Sequence, residues 1–148
     1  MKRLFCFFLL IVYFSIVLHL AVLSRDTIER KTPIRMELFQ DYFQPNKTGY
    51  LDSYINIALF VPFGLVVGLL GKRNKVVIAI IVGFLCSLII ESSQLIWKKG
   101  TFDINDLFNN TIGALIGVLI AMSVLSILKQ LKQNKDCFRK TWLRRRFL

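Results

Sequence analysis

A carboxylate, two hydroxyls and an amide (Glu91, Ser92, Ser93 and Gln94) interrupt a segment that is otherwise apolar. Glu91 is the only charged residue within four apolar runs, residues 4–23, 55–70, 76–96 and 107–128. An acid within a hydrocarbon layer costs a few kcal/mol unless it faces other helices or water. The other runs are therefore read for what they bring to Glu91. Ser87, Glu91 and Gln94 stand at i, i+4 and i+7, one face of a helix. Asp103, Asp106, Asn110, Gly113 and Gly117 follow spacings of 3, 4, 3 and 4, a single seam turned toward another helix, with Asn109 beside it. Asn56 opens the second run. Asp103 has a plainer reading as a helix cap, with Asp106 favoured near the positive helix end.

Three chemistries are open to these residues. Carboxylates with Asn oxygens suit a hard divalent cation. A buried acid can exchange a proton. A polar cluster ringed by apolar helices can hold the head of a lipid-like molecule. The chain has no HExxH and no Gly-rich phosphate loop, and no nucleophile is paired with a base. Binding is therefore favoured over catalysis, no cofactor is required, and no metal is assigned.

The elements that must position these residues follow from composition. Of 148 residues 55% are hydrophobic and the mean hydropathy is +0.56, too apolar for an ordinary soluble domain. A helix crosses a bilayer with about 20 residues, and no run alternates with the period of a membrane strand. The expectation is an all-α, polytopic membrane protein with four transmembrane helices. Residues 1–128 would form the transmembrane domain, with a loop over residues 24–54, and residues 129–148 a basic tail. The net charge is +11. Lys2, Arg3, Lys72, Arg73, Lys75 and eight residues of the tail make thirteen basic residues on one side. Seven remain on the other, matched by seven acids. The positive-inside rule then gives an N-in, C-in topology. The tail would rest on anionic lipid and, having no recognisable binding module, on no nucleic acid. Under this topology Asn56, Glu91, Gln94, Asp103, Asp106, Asn109 and Asn110 gather in the outer leaflet as one polar pocket. Cys6 and Cys86 fall in apolar runs and Cys137 in the tail, so no external disulfide and no zinc spacing is expected.

Helix packing is also legible. Pro62 deprives the carbonyl of Ala58 of its helical partner. Gly64 and Gly68, and again Gly113 and Gly117, are four apart, a small-residue face that admits another helix closely. In the long loop Met36, Leu38, Phe39, Tyr42 and Phe43 predict a short helix lying on the membrane surface.

Three segments together resemble the VanZ-like family: NIALFVPFG from Asn56, SLIIESSQ from Ser87 and DINDLFNNTIGALIG from Asp103. The resemblance implies a small multi-pass protein of the bacterial cytoplasmic membrane. It implies a link to lowered susceptibility to teicoplanin-type glycopeptide antibiotics, and together with the outer-leaflet cluster it points to a lipid-linked cell-wall intermediate or a lipoglycopeptide as partner. Carried over by position, its polar residues are Asn56, Glu91, Gln94, Asp103, Asp106 and Asn109. The family's basic residue shortly before the aspartates is matched only loosely, by Lys98 or Lys99. Two rival readings stand beside this one: a small proton-coupled transporter, which would need a homodimer, and an intramembrane enzyme acting on a lipid-linked precursor.

Overall fold

The computed structural model describes residues 2–23, 34–39 and 47–146. Helix α1 spans Lys2–Leu18 and widens into a π-helical turn at His19–Leu23. A two-residue strand β1, Ile34–Arg35, precedes helix α2, Lys47–Leu70. Helix α3, Lys75–Ile96, is followed by strand β2, Phe102–Asp103, and by the 43-residue helix α4, Ile104–Arg146. Among the described residues three helices are long and apolar enough to cross a membrane: Leu51–Leu70, Lys75–Ile96 and Ile104–Arg139. The first run contributes a shorter apolar helix, Phe8–Leu18.

Helices α2 and α4 run parallel, and glycine is the reason they approach so closely. A Cβ on Gly113 would overlap the carbonyl oxygen of Ile57, and one on Gly117 that of Val61. A Cβ on Gly64 would overlap the carbonyl oxygen of Ala114. Gly64 thus meets Gly117 backbone against backbone, while Gly68 faces the Ala121 side chain. Helix α3 packs antiparallel to α4, with Gly83 facing Ala114. Val17, Val22, Phe60, Phe63, Ile90 and Ala114 form the core between the helices.

Helix α2 continues through Pro62 without ending. The Tyr13 hydroxyl of α1 donates to the carbonyl of Leu59, next to the one that Pro62 leaves without its helical donor. Below this bond α1 and α2 part around an apolar groove of about 350 Å³, lined by Leu9, Tyr13, Pro62, Phe63 and Val66 among others.

Three boundaries differ from expectation. Helix α2 begins at Lys47 rather than at residue 55, because hydropathy marks where a helix turns apolar and not where its backbone begins. Leu51 and Tyr54 on these two added turns are exposed. Helix α4 begins at Ile104 and runs on through the basic tail, whose Lys, Gln, Leu and Arg residues favour helix and include neither Gly nor Pro. Residues 34–39 form a strand and a turn, so Met36, Leu38 and Phe39 of the expected surface helix are not helical. Tyr42 and Phe43, the other aromatics of that expectation, lie outside the described residues.

Candidate functional site

The start of α2, the end of α3 and the start of α4 share one end of the bundle, and the buried polar side chains collect there. Glu91, in the last two turns of α3, is 1% exposed. Its Oε2 accepts the backbone N–H of Asp103 at 2.9 Å. Asp103 is the residue before α4, and its own carboxylate works in two directions. Oδ1 accepts the backbone N–H of Asn105 at 2.9 Å and the Asn105 amide at 3.2 Å, the bond of a helix cap. Oδ2 accepts Arg35 Nη1 at 3.0 Å. Asp103 therefore caps α4 and also joins Glu91 and Arg35.

Arg35 belongs to a strap, residues 34–39, laid across this end. Strand β1 pairs in parallel with β2, Ile34 opposite Phe102 and Arg35 opposite Asp103. Asn105 fastens the rest. Its Nδ2 donates to the carbonyl of Glu37 at 2.8 Å, and its Oδ1 accepts the backbone N–H of Phe39 at 2.6 Å. Phe39 has a φ of 65°, a left-handed conformation that costs a bulky residue energy. The Asn105 bond and an edge-on contact with Phe108, ring centres 5.3 Å apart, hold it there.

The remaining groups line the seams. Asn56 Nδ2 of α2 donates to Asp106 Oδ1 at 2.6 Å. Asn110 Nδ2 donates to Ser87 Oγ of α3 at 2.8 Å. Asn109 is fully buried. Gln94 is buried with its Oε1 against Gly100, where an added Cβ would come within 2.6 Å. The Asp103-to-Gly117 seam of α4 thus serves two neighbours. Asp103 and Asn110 turn to α3, whereas Asp106, Gly113 and Gly117 turn to α2.

Each expected polar residue except Asn109 thus has a described contact at this end, and Glu91, Gln94, Asp103, Asn109 and Asn110 are buried there. Among the described residues no three His, Cys, Asp or Glu side chains are grouped to hold a metal ion. Glu91 meets Asp103, while Asp106 is engaged by Asn56. Arg35 and Asn105 are the residues that sequence reasoning missed. Asn105 stands inside the DIND segment and carries the signal of a polar residue among polar residues, but its partners are main-chain atoms 66 and 68 positions away. Arg35 gave no signal at all, being one arginine in a mixed-charge loop. The guanidinium on Asp103 thus comes from the loop before α2, while Lys98 is exposed.

Apolar helices of membrane-spanning length, packed through glycine and capped by a buried polar cluster, define a multi-pass, all-α membrane protein. The family model described as VanZ/LLP1 matches residues 5–128, and the chain belongs to that family. No curated protein and no solved structure matches it.

Proposed function

We propose that this VanZ-family protein lies in the bacterial cytoplasmic membrane with four spans and both termini inside. We propose further that it lowers susceptibility to teicoplanin-type glycopeptides by binding a lipid-linked or lipophilic ligand at the outer end of its bundle. The observation that carries this reading is Glu91, a carboxylate 1% exposed at the end where the strap crosses. The strap is held through the β1–β2 pairing, the side chains of Asp103 and Asn105, and the ring contact of Phe39 with Phe108. Lifting it would bare the Glu91 and Asp103 carboxylates, acceptors for ligand hydroxyl and amide groups, and the Arg35 guanidinium, a donor for phosphate or carboxylate. Apolar helix faces beneath would meet the ligand's tail.

The test is Glu91→Gln in a strain whose teicoplanin susceptibility changes when the gene is deleted. Loss of protection is expected. Unchanged protection at equal protein level removes Glu91 from the mechanism. Cysteines placed at Lys72, Lys98 and Lys135, in a background without the native three, test the topology: only Lys98 is expected to label from outside.

A further inference from the structure

Helix α4 does not stop where its apolar run stops at Leu128, and the 18 residues beyond are organised. From Lys129 to the C-terminus eight lysines and arginines face Asp136 alone, a net charge of +7. Because the segment is helical, three of these charges share a side. Lys132, Lys135 and Arg139 stand at i, i+3 and i+7, one stripe of the helix. Leu131, Phe138 and Trp142, at i, i+7 and i+11, form a second stripe next to it, and they are 60%, 74% and 49% exposed. A narrow apolar stripe with a bulky aromatic pair, bordered by long basic side chains, is the pattern of a helix that lies in a membrane interface. The aromatic rings enter the headgroup boundary and the lysine and arginine stems reach the phosphates.

We propose that the last five turns of α4 dock on an anionic lipid surface, the leaflet into which α4 itself emerges. Charge selects this occupant over a second copy of the chain. Two such segments side by side would bring +7 against +7, whereas anionic headgroups neutralise both. The bundle does little to hold the segment in line with the span. From Met122 to Arg139 every side chain is exposed except that of Leu125, which is half-buried. A bend near Leu128 therefore breaks little packing. Docking would fix the depth and rotation of α4, and with it the seam that α4 forms with α2.

The experiment uses the full chain with Trp97→Phe, which leaves Trp142 as the only tryptophan. The protein is placed in lipid discs of phosphatidylcholine alone or with phosphatidylglycerol. With the anionic lipid, Trp142 emission should shift to the blue and its quenching by acrylamide should fall several-fold. Both effects should reverse in high salt, and both should vanish in the Lys132→Glu/Lys135→Glu/Arg139→Glu variant. Equal quenching in the two lipids overturns the proposal. So does protection in phosphatidylcholine that appears only when a disc holds two copies, which assigns the stripe to a second chain. Circular dichroism of the triple variant guards against a misfolded control: retained helicity with retained lipid protection also overturns it.

Discussion

The two ends of the α2–α4 contact are built on opposite principles. Deep in the bundle Gly64, Gly113 and Gly117 bring backbone against backbone, Gly68 lies against the Ala121 methyl, and no room is left for a side chain. At the Glu91 end the same pair of helices is joined by the side-chain bond of Asn56 to Asp106, and α3 by Glu91 and Ser87. Dispersion over a close contact needs no partner chemistry and tolerates no added volume. Hydrogen bonds tolerate modest changes of shape but need each partner in place. The glycine seam therefore acts as the fixed part of the molecule. The polar end, where a strap can be attached or released, is the adjustable part.

The largest effect is expected at the seam. Gly117→Leu drives a side chain into the Val61 carbonyl and toward Gly64, atoms of two backbones that cannot turn aside. Overpacking usually costs about 1–3 kcal/mol and a backbone collision exceeds it, so unfolding in mixed micelles should show a loss of ~3 kcal/mol or no folded protein. Ile120→Leu, three residues on and lipid-exposed, is the matched control and should change nothing measurable. If Gly117→Leu is as stable as its parent, the seam is not the fixed part.

Next comes Asp103, where a cap and an ion pair share one carboxylate. Asp103→Ala removes both and should cost about 2 kcal/mol. Asp103→Asn keeps an oxygen for the Asn105 N–H and loses only the charge opposite Arg35, so the cost should be nearer ~1 kcal/mol. Thermal unfolding of the two variants separates the cap from the pair. Equal losses would mean that the ion pair carries the strap alone.

Strap release should be still milder globally and sharper locally. Asn105→Ala deprives the Glu37 carbonyl and the Phe39 N–H of their partner. A lost buried bond is worth about 1 kcal/mol. Hydrogen exchange at the Phe39 amide should accelerate about tenfold or more for a loss above 1.4 kcal/mol, with the Gly113 amide unaffected. Acceleration at both sites would show that strap and seam open as one unit.

The same contrast decides what could be read from the sequence. The glycine seam was legible because a repeat of four within an apolar run has one geometric meaning on a helix. The i, i+4, i+7 stripe from Ser87 to Gln94 was legible for the same reason, and its residues are buried as that spacing implies. The strap was not. Arg35 and Asn105 are linked across 68 and 66 positions by contacts with Asp103 and with Phe39, and nothing periodic marks a loop that folds back over a helix end. A helix start is hidden where turns of backbone precede the apolar residues, as at Lys47. In the tail only the charge, and with it the anionic lipid, is visible in sequence, because the amphipathic arrangement exists only once residues beyond Leu128 are helical.

The smallest prediction probes the joint between the two regions, one turn below Glu91. Asn110 donates to Ser87 Oγ at 2.8 Å, while Asn110 Oδ1 is buried without a partner among the described residues. One bond gained and one acceptor left unmet nearly cancel. Interhelical hydrogen bonds in membranes average about 0.6 kcal/mol, since the unfolded state in lipid also finds partners. A double-mutant cycle of Ser87→Ala and Asn110→Leu should give a coupling of that size or less. The double variant should be close to the parent in stability, because it removes both the bond and the unmet acceptor. A coupling above about 2 kcal/mol would exceed what membrane hydrogen bonds reach. It would place Asn110 with the fixed seam and move the border between the two regions one turn toward Glu91.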